Sequence, residues 1–112
     1  MVGRRYAMRR DLNDAEIVAA VKAAGWSLID FTRAGIGGIP DHLALKILPN
    51  GTYCTIWVEV KSKNGRLSEL QEIARGIWEP RGEWVEGRDP EQVVRDLLDL
   101  YNSKIDQESG GN

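Results

Sequence analysis

Apolar residues recur at helical spacing in three parts of the chain, and each stripe predicts an amphipathic helix with that face buried. Gly25 ends the first predicted helix, Pro80 ends the second, and Pro90 opens the third. The predicted buried stripes are Ile17, Val21 and Ala24 in the first helix, Leu70, Ile73, Ala74 and Ile77 in the second, and Val93, Val94, Leu97, Leu98, Tyr101 and Ile105 in the third.

Shorter apolar runs rich in β-branched and aromatic residues predict four strands, at residues 26–31, 42–48, 52–61 and 83–86. The order along the chain is then helix, three strands, helix, strand, helix. One domain of the α/β class is expected over residues 1–112, because this length holds one modest core. Residues 1–10 show no clear period and are interpreted as a basic arm, and residues 109–112 as a disordered tail.

The loop at residues 49–51 joins the second and third strands, and its length decides which residues face each other across the hairpin. A three-residue loop with Gly51 in a left-handed conformation places Asp41 opposite Glu59. A two-residue turn would instead put the apolar positions of both strands on one face and separate the two carboxylates. A β-bulge near Asp41 would reconcile the two patterns. The sequence leaves these alternatives open.

Charge changes this picture only locally. The chain has 15 Lys and Arg residues against 17 Asp and Glu residues, a net charge of -2, so binding to nucleic acid would need a local basic patch. Two basic clusters fit that need, Arg4, Arg5, Arg9 and Arg10 in the arm and Lys61, Lys63 and Arg66 after the third strand. A solvated terminus is the alternative interpretation of the arm.

Cys54 is the single cysteine, which excludes an intramolecular disulfide and a thiolate zinc site. A reducing compartment fits that composition. No apolar run approaches the roughly 18 residues of a membrane span, and the basic N-terminus leads into no apolar signal-peptide stretch. We therefore expect a cytoplasmic protein without a membrane partner.

Glu59 and Lys61 are unusual residues for a strand. They lie two positions apart between valines, so the charged pair shares one face and the valines take the other. The pattern is intelligible if that face lines a site where carboxylates hold a divalent cation and the ammonium group acts on a phosphate or on an activated water. The alternatives are a solvated edge strand for Glu59 and Lys61 and a simple turn for Asp41.

Four short motifs occur in order along the chain: Pro40-Asp41, Glu59-Val60-Lys61, Gly65-Arg66-Leu67-Ser68 and Gln71. In identity and spacing they resemble the PD-(D/E)XK nuclease superfamily, most closely its VRR-NUC branch and the Holliday-junction resolvases. The resemblance covers roughly residues 13–100. It implies a restriction-endonuclease-like core of the α+β type, a mixed sheet with the order α-β-β-β-α-β-α, which agrees with the element order above.

The resemblance further implies an endonuclease that depends on Mg²⁺ or Mn²⁺ and hydrolyses DNA phosphodiester bonds, with branched DNA as a candidate substrate. In such an enzyme Asp41, Glu59 and the backbone carbonyl of Val60 would bind the metal. Lys61 would position or deprotonate the attacking water, and Gln71 would complete the catalytic set. A homodimer is also implied, because two symmetric cuts need two active sites.

Some residues keep two interpretations. Glu16 is a further candidate metal ligand, because related nucleases often carry an active-site glutamate on their first helix, whereas a capping box with Asn13 explains it equally well. Gln71 likewise fits a capping box with Ser68. The whole chain also has a second interpretation, a catalytically silent nucleic-acid-binding or protein-interaction module with the same fold. A nuclease acting on RNA stays open as well.

Overall fold

Three α-helices and four strands make up the part of the chain described by the computed structural model, which covers residues 2–62 and 64–110, with side chains for residues 13–108 except at position 63. Their order confirms the predicted one, with a short 3-10 helix added before the last strand. The elements are α1 (Val2–Ala23), β1 (Ser27–Asp30), β2 (His42–Ile47), β3 (Tyr53–Val60), α2 (Glu69–Trp78), the 3-10 helix (Glu79–Arg81), β4 (Trp84–Gly87) and α3 (Pro90–Gly110).

The four strands of the described residues form one mixed sheet in the order β1-β2-β3-β4. β2 runs antiparallel to both β1 and β3, and β4 runs parallel to β3. The segment containing α2 supplies the crossover that a parallel pair requires. Since β3 is paired on both sides, the interpretation of Glu59 and Lys61 as a solvated edge strand is wrong.

The hairpin between β2 and β3 has the three-residue loop. Its register runs without a break along β2, beginning with His42 opposite Val58. In the loop at residues 49–51, the N–H of Gly51 donates to the carbonyl oxygen of Leu48 at 2.9 Å, and Gly51 has a φ of 90°. The two-residue turn is therefore wrong, and β2 pairs with β3 without a bulge.

This register decides which apolar residues of the hairpin are buried. Ala44, Ile56 and Val58 face the core and are at most 1% exposed. Ile47 and Tyr53 point to the opposite face of the sheet, where they are 55% and 63% exposed. The chain thus leaves large apolar side chains in solvent on that second face.

The core lies between the first face of the sheet and the helices α1 and α3. Ile17 and Val21 from α1 meet Val93 and Leu97 from α3 in one buried cluster, each at most 1% exposed. Full burial of such a side chain contributes roughly 1.5–3 kcal/mol to folding. The predicted stripes of these helices are confirmed at these positions and wrong at Leu98, which is 49% exposed.

The predicted buried stripe of α2 is mostly wrong. Leu70, Ile73 and Ile77 are 53%, 56% and 49% exposed, and only Ala74 of that stripe is buried. The physical reason is that α1 and α3 already cover the core face of the sheet, so α2 packs elsewhere. Helical periodicity shows that one face of a helix is apolar, and it does not show what covers that face.

Both terminal helices are longer than the hydrophobic pattern predicts. Because α1 begins at Val2, Asn13 lies inside the helix, and its predicted capping box with Glu16 is wrong. The backbone of residues 2–10 is helical where an arm was expected, and the arginines there are good helix formers. At the other end α3 continues to Gly110. No helix in the part of the chain that the structure describes is long and apolar enough to cross a membrane.

Candidate active site

A cleft of 680 Å³ opens at the end of the sheet where β2 begins and β3 ends. Its walls come from α1, the glycine-rich loop at residues 35–39, the segment after β3 and the first turn of α2. Asp41, Glu59, Lys61 and Gln71 all line it. The fold therefore brings together the four predicted catalytic residues, which lie in separate motifs of the sequence.

Asp41 and Glu59 are the buried carboxylates of this cleft, 6% and 1% exposed. The register that pairs His42 with Val58 sets the residue before His42 beside the residue after Val58. Asp41 is held further by a hydrogen bond, in which the Val60 N–H donates to its Oδ2 at 2.9 Å. Hydrogen bonds to a charged acceptor contribute about 1.5–3 kcal/mol, which offsets part of the cost of burying the carboxylate.

The donor set of the cleft fits a hard cation. Two carboxylates in one site repel unless a cation or a proton lies between them. Mg²⁺ binds through one or two carboxylates and keeps several waters, so Asp41, Glu59 and the carbonyl of Val60 suffice as protein ligands. Among the described residues no group of three or more His, Cys, Asp or Glu side chains is placed to hold a metal ion. Asp41, Glu59 and the Val60 carbonyl would thus leave most coordination positions of such an ion to water or substrate.

Lys61 lies at the end of β3 with its backbone fixed on both sides. Its N–H donates to the carbonyl oxygen of Gly87 at 2.8 Å. Its own carbonyl oxygen accepts a hydrogen bond from the Asn13 Nδ2 at 3.2 Å. The start of the Lys61 side chain is thereby held at the cleft by β4 and by α1.

Among the α1 residues whose side chains the structure describes, Asn13 lines the cleft, whereas Glu16 is exposed and does not line it. The structure therefore does not bring Glu16 to Asp41 and Glu59. A signal for Asn13 was present in the sequence, because Asn13, Ile17 and Val21 follow one another at intervals of four and share a helix face. The interpretation of Asn13 as a helix cap left this shared helix face unrecognised.

Gln71 makes the predicted capping box with Ser68 at the start of α2. The Ser68 N–H donates to the Gln71 Oε1 at 2.8 Å, and the Gln71 N–H donates to the Ser68 Oγ at 3.2 Å. The capping prediction is confirmed. Both residues also line the cleft, so capping and a contribution to the site are compatible.

The glycine-rich loop is packed tightly against α2. A Cβ at Gly37 would lie 2.9 Å from the Leu70 Cδ1, and Gly38 combines a φ of 87° with a Cβ position 3.2 Å from the Leu70 Cβ. The flexible end of Leu70 can move away from a side chain at position 37, whereas a residue other than glycine at position 38 would be strained in its backbone and crowded by the helix. Gly38 is thus required for this wall of the cleft.

His42 lies buried beside Asp41, with its Nε2 2.6 Å from the Asp14 Oδ1 and its Nδ1 3.9 Å from the Asp30 Oδ1. Burial lowers the pKa of His42, but the carboxylates of Asp14, Asp30 and Asp41 outweigh burial and raise that pKa above its ordinary value. The surroundings thus favour the imidazolium form.

The predicted nucleic-acid contacts are described only in part. Arg66 is exposed between Gly65 and Ser68, which line the cleft. Lys63 and the side chains of Arg4, Arg5, Arg9 and Arg10 lie outside the described residues.

No family model, curated protein or solved structure matches the chain. The similarity to PD-(D/E)XK nucleases stays a prediction that rests on the motifs quoted above. Seven residues of those motifs line the cleft: Asp41, Glu59, Val60, Lys61, Gly65, Ser68 and Gln71.

Proposed function

We propose that this protein is a metal-dependent endonuclease that hydrolyses DNA phosphodiester bonds, with a restriction-endonuclease-like core. One observation carries the proposal: Asp41 and Glu59, two almost fully buried carboxylates, share an open cleft with Lys61. Burying charge costs free energy, so a purely structural sheet gains nothing from that arrangement. A site for a cation and an anionic substrate accounts for it.

The two carboxylates, the Val60 carbonyl and Lys61 each have a chemical role in this proposal. Asp41, Glu59 and the Val60 carbonyl would hold Mg²⁺ or Mn²⁺, which would supply Lewis acidity and lower the pKa of a bound water. The Asp41 carboxylate keeps its position through the Val60 N–H. Lys61 places a positive charge at the cleft, where it orients the attacking water and stabilises charge that develops on the phosphate.

Binding of the polyanion is assigned to basic residues at the rim of the cleft. Arg66 is exposed beside it, and Arg4, Arg5, Arg9 and Arg10, whose side chains lie outside the described residues, are assigned to the same role from the sequence. Such residues contact phosphates and therefore add affinity without base specificity. Branched DNA is our candidate substrate, and the cytoplasm remains our expected compartment.

A homodimer is the assembly that we propose. The sheet face opposite the core exposes Ile29, Ile47 and Tyr53 by 46%, 55% and 63%. On the same side of the sheet, the Trp57 ring packs on Trp78 at the end of α2, with 6.1 Å between ring centroids. We call the exposed apolar residues of this face and of α2 the open face: Ile29, Ile47, Tyr53, Leu70, Ile73 and Ile77.

The open face supports pairing with a second copy of this chain. Its exposed apolar side chains come from three strands and a helix, and a group of large apolar side chains left in solvent marks an interaction site. A two-fold axis would let the same residues cover one another, and it would also give the dimer two active sites.

The silent binding module remains the second candidate. The observation on its side is the sparse ligand set, because the described residues include no group of three or more acidic, histidine or cysteine side chains placed to hold a metal ion. A nucleic-acid-binding cleft needs positive charge and does not need Asp41 and Glu59.

A cleavage panel tests the proposal. Linear duplex, single strand, flap, splayed arm, four-way junction and the matching RNAs are each incubated with Mg²⁺, Mn²⁺ or EDTA. We expect cleavage of at least one DNA with either metal and none with EDTA. Binding without cleavage on every substrate would favour the silent module, and cleavage of RNA alone would correct the substrate.

A further inference from the structure

The segment between β3 and α2 forms a tight turn at the rim of the cleft. The Gly65 N–H donates to the carbonyl oxygen of Ser62 at 3.0 Å, and both residues line the cleft. A Cβ at Gly65 would lie 2.9 Å from the Ser62 Oγ and 3.4 Å from the Ser62 backbone nitrogen, so a side chain there would require the serine hydroxyl to rotate away. Lys61 precedes this turn and Arg66 follows it.

Arg88 holds the turn from outside. Its Nη1 donates to the carbonyl oxygens of both Ser62 and Gly65, at 2.5 and 2.6 Å. Its Nη2 pairs with the Glu86 carboxylate on β4. One guanidinium thus joins both ends of the turn to the sheet, which its planar fork of donors permits and a single ammonium group does not.

The position of Arg88 is itself fixed. It directly follows Gly87, whose carbonyl accepts the Lys61 N–H. Its own N–H donates to the Gln92 Oε1 at 2.8 Å, at the start of α3. The side chain is only 28% exposed. A rigid junction between β4 and α3 therefore presents the guanidinium to the turn.

We propose that Arg88 is a positioning residue for the cleft. By fixing the Ser62–Gly65 turn, it places Lys61 at the start of the turn and Arg66 at its end for contact with one phosphate group. This role rests on the proposed nuclease function, because Lys61 and Arg66 are assigned to the reaction and to the polyanion there. Arg88 lies outside the four motifs and does not line the cleft, so it acts through the turn.

The test compares Arg88→Gln and Arg88→Lys with wild type in the full chain. Arg75→Gln is the matched control, because Arg75 forms its ion pairs with Glu72 on α2 and Glu79 in the 3-10 helix and donates to neither carbonyl of the turn. Hydrogen exchange of the amides at residues 64–66 is measured without metal or substrate. Turnover and KM are measured in the otherwise wild-type chain, and DNA affinity is measured in an Asp41→Asn background. All measurements use a temperature at which every variant is folded.

We expect faster exchange at residues 64–66 in Arg88→Gln, with Val60 unaffected, and an intermediate effect in Arg88→Lys. The loss of kcat/KM should be about 10–100-fold, as for other groups that orient an active-site residue. Most of it should lie in kcat, and Arg75→Gln should match wild type.

Two results would overturn the positioning role. Unchanged exchange at the turn in Arg88→Gln would show that the guanidinium does not hold it. Faster exchange with wild-type kcat/KM would show that the turn does not position Lys61 or Arg66. If wild type cleaves no substrate, the proposed function fails on its own. The role of Arg88 then depends on DNA affinity, and an unchanged affinity despite faster exchange would reject it.

Discussion

Asp41 and Val60 are joined across the β2–β3 hairpin by a hydrogen bond from the Val60 N–H to the Asp41 Oδ2 at 2.9 Å. This bond holds the first carboxylate at the end of the strand that carries the second, Glu59. It exists because the three-residue loop at residues 49–51 sets the register of the hairpin. The position of the site therefore depends on a turn at the far end of two strands.

Lys61→Ala should lose most turnover and keep metal affinity better than the carboxylate variants do. Lys61 acts on water and phosphate in our account, whereas Asp41 and Glu59 act on the ion. Calorimetry of Mg²⁺ or Mn²⁺ binding, run beside single-turnover cleavage, checks this division. Disappearance of metal binding in Lys61→Ala would contradict it.

Gln71→Ala should lower the free energy of unfolding by about 1 kcal/mol, because it removes half of a capping box. Ser68→Ala is the matched control, since it removes the other half. Denaturant titration measures both. The proposed site role of Gln71 predicts a larger loss of cleavage in Gln71→Ala than in Ser68→Ala, and equal activities would leave it a cap only.

The sequence predicted that the motif residues meet in one site, but it left the hairpin loop undecided. The proline, asparagine and glycine at residues 49–51 favoured a three-residue loop by their turn chemistry, whereas the apolar pattern of the two strands favoured a two-residue turn. The contribution of Arg88 was not predictable, because it arises from contacts with Ser62 and Gly65 across the fold. In the sequence alone, nothing distinguishes Arg88 from an arginine in a solvent-exposed loop.

The exposed stripe of α2 was missed for a different reason. Leu70, Ile73 and Ile77 have the same helical spacing as a buried stripe. The spacing does not show whether the surface that covers such a stripe belongs to the same chain. A homodimer would bury that stripe, so the failed prediction and the proposed assembly have one explanation.

His42 predicts a pH dependence of stability. Its pKa in the folded state is raised above the ordinary value, so folding favours the protonated form. The stabilisation is fully present below the unfolded pKa of about 6.5 and is lost as the pH rises through the folded pKa. Urea unfolding measured from about pH 5 to about pH 9 should show the free energy of unfolding decrease as the pH rises through the folded-state pKa of His42.

Asp14→Asn is the matched variant for that measurement, because Asp14 is the carboxylate in contact with the His42 Nε2. It should flatten the slope that His42 produces while leaving the other titrating groups unchanged. A slope identical to that of wild type would show that the Asp14 carboxylate does not hold the proton on His42.

Substitution on the open face should produce monomers. Ile73→Glu places a charge in the middle of the exposed stripe of α2, where a second copy would have to desolvate it. Leu98→Glu is the control, because Leu98 is similarly exposed on α3, outside the open face. Sedimentation should show a dimer for wild type and for Leu98→Glu and a monomer for Ile73→Glu. A wild-type monomer at all concentrations would reject the proposed assembly.

The central claim is that Asp41 and Glu59 form a metal-dependent catalytic site, and the most direct test is cleavage by Asp41→Asn and Glu59→Gln at saturating Mg²⁺. Both changes remove charge at nearly constant shape, and asparagine can still accept the Val60 N–H, so the fold should persist. Melting without metal should be unchanged or higher, because repulsion between carboxylates is relieved. Glu91→Gln, on the exposed start of α3, is the control and should keep wild-type turnover. We predict that both site variants lose cleavage completely, and wild-type turnover in either one would contradict the claim.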